Sequence, residues 1–234
     1  MSTVYSQLGL IVAAAGASRR FGGVNKLLQS LHGMPLFCHC LKNLCSEDGL
    51  GNVVLVVSPG NEALFSQLLK ENLPVLAETV QVISGGELRS DSVLRGLQAL
   101  KPECSYVAIQ DAARPRTSAA ILRRCFETAK IYGSGVAAHR ITDSVKIADE
   151  NGIVRQSLDR NLLWATETPQ VFRRETLLKA YKICRNLKKI FTDEAQLLEE
   201  AGFGVKLVEN REDNPKITYR HDLPNMESIV ATPE

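Results

Sequence analysis

The chain has 234 residues, 44% of them hydrophobic and 23% charged, with six cysteines and a formal net charge of +2. That balance argues against nucleic acid or a membrane surface as a partner, and no apolar run is long enough to span a bilayer. Six cysteines in this length do not make a disulfide scaffold. One α/β domain over 1–234 is expected. Met1 to Tyr5 carries neither a basic nor an apolar targeting region, so a cytoplasmic setting is expected.

In chain order, Leu10 to Ala14 is brief and apolar, as a buried parallel strand should be, and it ends at Ala15-Gly16. Small residues there expose backbone N–H groups, and Arg20 and Lys26 follow with positive charge. Such a nest with nearby cations suits a polyphosphate, although the same residues suit an ordinary glycine turn with surface cations. The Walker and dinucleotide spacings are both absent, because Lys26 lacks its preceding Gly and Ser18 stands where a second Gly would be. A strand, A-A-G-x-x-x-R and a later Lys resemble instead the loop of sugar-phosphate nucleotidyltransferases.

Pro35 to Cys45 reads as a helix. Its Cys38, Cys45 and Leu41 share a face, while His39 and Cys40 point elsewhere; buried helix cysteines are the reading there, not a metal site. Strands are expected at Val53–Val57, Val80–Ile83, Tyr106–Ile109, Gly135–His139 and Val205–Val208. Helices are expected at Glu62–Lys70, Asp91–Leu100, Ala119–Tyr132, Glu175–Cys184, Asp193–Glu200 and about Asp222–Val230. This alternation predicts a Rossmann-like, mostly parallel sheet with helices on both faces. One segment breaks the rhythm: Ser144–Ile147 and Ile153–Ser157 flank an Asn-Gly turn, predicting a protruding β-hairpin arm at about 142–160. The chain is then expected to return through Trp164–Glu167. An arm of this kind commonly buries its faces against a partner subunit.

Polar clusters recur where the strands end, which is where ligands sit in open α/β sheets. They are the opening loop, Gly85 to Ser92, Gln110 to Pro115, Asp143-Ser144 and Asn214 to Lys216.

Taken together, A-A-G-x-x-x-R, N-K, G-G-x-x-R-x-D-S-V, D-A-A-R-P, D-S-V-K, L-D-R-x-x-L-W-x-x-x-T-P-Q, T-D-E and N-P-K-I-T resemble one family across almost the whole chain. It is the 2-C-methyl-D-erythritol 4-phosphate cytidylyltransferases of the non-mevalonate route to isoprenoids. The resemblance implies a nucleotidyltransferase fold with a β-arm and a homodimer joined through it. It implies CMP transfer from CTP to methylerythritol phosphate with Mg²⁺. By motif position, Arg20 and Lys26 would neutralise the triphosphate, and Arg160 and Lys216 would hold the attacking phosphate. Ala14, Ala15, Gly16, Gly86, Glu87 and Ser92 would bind CTP. Asp111 would carry the metal, and with Arg114, Ser144 and Thr192 would lie on the substrate side. Gln110, Ser18, Ser144, Glu87 and Pro215 depart from the family's usual residues. Pro215, which removes an N–H, puts the placement of Lys216 in question. A pentitol phosphate cytidylyltransferase shares the nucleotide half of such a site. A non-catalytic module would be expected to have lost a cation or Asp111, and a nicotinamide dehydrogenase lacks its glycine fingerprint.

Overall fold

The computed structural model describes residues 6–16, 18–46, 50–187 and 189–223. The first strand, β1 (Leu8–Ala14), is buried along nearly its whole length, which is why its sequence is continuously apolar rather than alternating. A two-residue hairpin, β2 (Ser30–Leu31) and β3 (Met34–Pro35), leads into α1 (Leu36–Leu44). The chain continues through β4 (Asn52–Val57), α2 (Glu62–Asn72), the short α3 (Pro74–Ala77), β5 (Val80–Ser84), α4 (Arg89–Ala99) and β6 (Tyr106–Asp111). Next come α5 (Ala119–Tyr132), β7 (Ser134–Arg140), the arm strands β8 (Lys146–Ala148) and β9 (Val154–Ser157), and β10 (Trp164–Arg173). Two helices, α6 (Arg174–Cys184) and α7 (Glu194–Glu200), and an edge strand, β11 (Leu207–Glu209), complete the series.

The helix ends follow local chemistry. The Ser118 hydroxyl accepts the Ile121 N–H at 3.3 Å to start α5, and Gly133 ends it at φ 82°. Asp193 caps α7 by accepting the Gln196 N–H at 2.9 Å.

Seven strands form one sheet in the order β11-β7-β10-β6-β1-β4-β5. All neighbours are parallel except β10, which runs antiparallel to both β6 and β7. Successive residues face opposite sides, so Leu10, Val12 and Ala14 pack with α1, α2 and α5, while Ile11 packs with α4, α6 and α7. Both faces are therefore covered, as a parallel sheet requires. The predicted alternation of strands and helices is present, and α1 is more deeply set than its pattern suggested. Cys40 is fully buried alongside Cys38, with its Sγ 3.8 Å from the Asp111 carbonyl.

The sequence led us to expect a short return at Trp164–Glu167; the structure has a ten-residue strand through Arg173. Pro169 disguises it, because a residue without an N–H interrupts the ladder, and the register with β7 shifts between Thr166 and Gln170. The arm forms as a separate two-stranded sheet whose residues are all exposed. Asp149 builds its turn, with Oδ1 accepting from the N–H groups of Asn151 and Ile153, and Gly152 takes φ 79°. Most of the expected terminal helix, about Asp222–Val230, lies outside the described residues. Among the described residues, no helix is long and apolar enough to cross a membrane.

Candidate active site

From β1 the chain proceeds to β4 and β5 on one side, then returns to β6 on the other. The strand order therefore reverses beside β1, and loops leaving there in opposite directions open a crevice. One wall of it comes from two loops that touch. The Ser92 hydroxyl on α4 accepts the Gly86 N–H at 3.1 Å and donates to the Leu88 carbonyl at 3.1 Å. Ser58 donates to the Ala15 carbonyl at 3.0 Å, and Arg95 donates to the Gly85 carbonyl at 2.8 Å. Glycine is required at this meeting point. A Cβ at Gly85 would sit 2.8 Å from the Ala15 Cβ, and one at Gly86 only 2.4 Å from the Asp91 Cβ.

The crevice encloses about 330 Å³. Ala15, Gly16, Gly86, Glu87 and Ser92 line the side formed by the touching loops; Arg20, Lys26, Arg89, Asp111 and Lys216 line the cation-rich side. Asp111 ends β6 nearly buried, and Lys216 Nζ donates to its Oδ2 at 2.6 Å. Arg114 Nε stands 3.9 Å from the same oxygen, and Arg89 Nη2 stands 3.8 Å from Oδ1. Burial alone would raise the Asp111 pKa. The cations, Lys216 first and then Arg89, outweigh it and hold the carboxyl below its ordinary range.

Lys26 illustrates the opposite pressure. Its Nζ donates to the Ile217 carbonyl at 2.6 Å, and its backbone N–H reaches the Ser18 hydroxyl at 3.3 Å. Burial, then repulsion from Lys216, lowers its pKa to about 8, although Asp111 pulls it upward. Excess cation in a pocket of small residues is an arrangement for binding polyanions.

Not every expected residue lines this crevice. Ala14 points into the core, and Arg114 lies beneath the floor, donating to the Asn214 carbonyl at 2.5 Å. Ser144 and Thr192 are exposed outside the lining, and Arg160 belongs to a different hollow. That second hollow, about 380 Å³, is bounded by Arg140, Ile141, Thr142, Arg160 and Asn161. There Arg160 donates to the Thr142 carbonyl at 2.9 Å, and the Arg140 guanidinium stacks 4.3 Å over Trp164.

Ser18 and Pro215 find physical accommodation, whereas Gln110 does so in part, its buried Oε1 having no hydrogen-bond partner among the described residues. Ser18 adopts φ 50°, the left-handed region that a glycine enters more readily, and its hydroxyl supports Lys26. Gln110 is wholly buried, donating to the Thr117 hydroxyl at 2.8 Å and the Asp111 carbonyl at 3.1 Å. Pro215 does not displace Lys216, whose following residue returns to the floor through Ile217 N–H to Ala113 carbonyl at 2.9 Å.

Comparison with known proteins decides the family. The model of the 2-C-methyl-D-erythritol 4-phosphate cytidylyltransferase family matches residues 8–232. The chain belongs to this family. It is accordingly a nucleotidyltransferase, with a place in isoprenoid precursor synthesis. Relatives bearing that name include the Pelotomaculum thermopropionicum protein, 36% identical over 96% of this chain and 94% of its own length. Another, from Dehalococcoides mccartyi, is 38% identical over 96% of each chain. Among solved structures, the Thermus thermophilus cytidylyltransferase superposes with a TM-score of 0.78 at 25% identity, over 96% of this chain and 98% of its own. The 4-diphosphocytidyl-2C-methyl-D-erythritol synthase of Anaerococcus prevotii gives 0.84 at 21%, over 99% and 100%, a likeness of fold.

Against the family pattern, Arg89 is the cavity residue that the sequence reading passed over. It sits in G-G-x-x-R, but its partner is distant in sequence: Nη1 donates to both Glu194 oxygens, at 2.7 and 2.8 Å. Burial works against the Arg89 charge, yet Glu194 and then Asp111 raise its pKa above the ordinary value. Tyr181 adds a hydroxyl donation to Glu194 at 3.3 Å. Arg89 lies in G-G-x-x-R and Glu194 in T-D-E, but nothing in the sequence joins the two segments. As for a metal, no group of three or more His, Cys, Asp or Glu among the described residues could hold one by itself. Asp111 lines the crevice, and among the described residues its Oδ1 has only the long Arg89 contact, so the donor set fits an ion that takes its other oxygens from a nucleotide.

Proposed function

We propose that this chain joins CTP to 2-C-methyl-D-erythritol 4-phosphate at the crevice beside β1, releasing pyrophosphate. The carrying observation is the composition of that crevice: touching glycine loops on one wall, and Lys26, Arg20 and Lys216 around an ionised Asp111 on the other.

A substrate phosphate oxygen attacks the α-phosphorus of CTP, a new P–O bond forms, and the bond to the departing pyrophosphate breaks. No general base is needed, because a phosphate monoester with a second pKa of about 6 is already ionised at neutral pH. The obstacle is charge: one anion approaches another, and more charge gathers on the pentavalent centre. Positioning and preorganised cations meet it. Lys26 and Arg20 are assigned to the triphosphate and the transition state. Lys216, with Arg114 below it, is assigned to the incoming phosphate. The backbone at Ala15, Gly16 and Gly86, with Glu87 and Ser92, is assigned to the nucleoside. Mg²⁺, held by Asp111 and nucleotide oxygens, would offset charge on the triphosphate.

Arg160 is assigned to the substrate across a homodimer, and Ser144 and Thr192 to the same polyol phosphate. Support comes from the exposed apolar residues Ile147, Ile153 and Val154 of the arm, since a lone hairpin is marginal without another surface. All six cysteines are unpaired, in keeping with a reducing cytoplasm.

The deciding assay is pyrophosphate release with Mg²⁺, comparing methylerythritol phosphate with ribitol 5-phosphate and CTP with UTP. Methylerythritol phosphate and CTP are expected to be used far better. Equal or better turnover of ribitol 5-phosphate would move the assignment to the pentitol enzymes.

A further inference from the structure

Glu167 is a buried carboxylate that the chemistry above does not use. It sits on β10 with 5% of its surface exposed, a costly location unless each oxygen is occupied. Both are. The His139 Nδ1 lies 2.5 Å from Oε1, and Oε2 accepts from Asn210 Nδ2 at 2.9 Å and Asn214 Nδ2 at 2.8 Å.

The two asparagines bracket the loop that runs from the end of β11 to Lys216. Asn214 is tied further: its Nδ2 donates to the Thr168 carbonyl at 3.0 Å, and its Oδ1 accepts from the Thr117 hydroxyl at 2.8 Å. Thr117 in turn accepts from Gln110, the neighbour of Asp111 on β6. Thr168 closes the circuit, because its hydroxyl accepts the Asp111 N–H at 3.1 Å. The Asn214 carbonyl receives Arg114. One buried frame thus fixes the strand end carrying Asp111, the guanidinium beneath it and the loop two residues before Lys216.

From this geometry we propose that Glu167 is a positioning residue for the phosphate-holding half of the site. It sets the loop so that Lys216 meets Asp111 at 2.6 Å. The nucleoside loops at Ala15 and Gly86 hang from β1 and β5, outside this frame, and the loop it ties down is the one that carries Lys216, so the effect falls chiefly on the incoming phosphate. The inference rests on the reading of Lys216 as a ligand of the incoming phosphate.

Glutamine tests the geometry without the charge. Its Oε1 can take both asparagines, and its Nε2–H can donate to His139 Nδ1 in the other tautomer. Methionine keeps the bulk and removes every bond. Glu167→Met is expected to raise KM for methylerythritol phosphate roughly tenfold or more, the scale of supporting-residue losses at other built sites. KM for CTP should stay within about twofold, and Glu167→Gln should restore the wild-type KM to within about threefold. A rise in both KM values, in neither, or an equal loss in Glu167→Gln would overturn the proposal. Should Glu167→Met fail to fold, Asn214→Ser breaks the same link from the loop side; an unchanged KM for the polyol phosphate there overturns it too. Lys216→Ala separates the two levels. If it raises that KM and the Glu167 and Asn214 variants do not, the positioning role falls alone. If Lys216→Ala leaves it unchanged, the reading of Lys216 falls and takes this inference with it.

Discussion

Lys26 offers a titration that reports directly on how the crevice is built. Its ammonium is depressed to about 8 by burial first and by the neighbouring Lys216 second, with Arg20 adding to the effect. In the free protein, a rise from neutral pH therefore removes a cation that the proposed reaction uses. One pH unit above that pKa leaves about a tenth of the molecules with Lys26 charged, two units about a hundredth. The kcat/KM for CTP, measured by pyrophosphate release, is expected to be bell-shaped. Its acid limb lies near 6, where the terminal phosphate of CTP loses its second charge, and its basic limb near 8, with a tenfold fall per unit beyond. Arginine stays charged throughout, so Lys26→Arg should retain less activity at pH 7 but lose the basic limb. Stability moves the other way. A folded pKa below the unfolded 10.5 means that the unfolded chain binds more protons between about 8 and 10.5, so stability rises with pH through that window. A wild-type rate that holds flat well above pH 9, or an unchanged basic limb in Lys26→Arg, would refute the argument.

Other substitutions test other parts of the site. Lys26→Ala is expected to cost ~10³–10⁵ in kcat, the range of cations that act on a transferring phosphoryl group; a loss of only a few fold would remove the opening loop from the chemistry. Gly86→Ala forces a Cβ to within 2.4 Å of the Asp91 Cβ and should raise KM for CTP while sparing KM for the polyol phosphate. Glu194→Gln removes the charge that clamps Arg89, whereas Arg89→Met strands Glu194 in a buried site. The second should lower Tm more than the first, because an unpaired buried charge is the costlier state.

How much of this was legible beforehand depends on the range of the interactions. β1, β4 and β6 could be read because strands buried on both faces must be apolar throughout, and the polar residues that stop them fall at one sheet edge. Nest, cations and Asp111 followed from that placement. β10 was hidden because Pro169 sits within it, and β2 and β3 are too short to leave a periodic trace. Arg89 and Glu194 are 105 residues apart in the chain, and Glu167 gains its side-chain partners from β7 and from the loop after β11. No local pattern encodes such pairings. Ser18 is a milder case: a serine in the left-handed region is recognisable only once the loop is seen to demand that turn.

The assignment of Arg160 across a dimer makes a numerical prediction. In one chain, Arg160 bounds the hollow with Thr142 and Asn161, apart from the crevice that holds Lys26 and Lys216. The arm beside it leaves Ile147, Ile153 and Val154 in solvent, surface that a second copy would cover. Consider two inactive variants, Lys26→Ala and Arg160→Ala, mixed and allowed to exchange subunits. In a mixed dimer, the crevice with an intact Lys26 belongs to the chain lacking Arg160, and its partner supplies an intact one. That site is whole, while its twin lacks both cations. Random exchange in a two-fold dimer makes about half the dimers mixed, each with one of two sites complete, so activity should recover to about a quarter of wild type. If each chain used its own Arg160, every site in every dimer would lack one cation or the other. Demonstrated exchange with no recovery would therefore return Arg160 to its own chain and leave the arm a purely structural clasp.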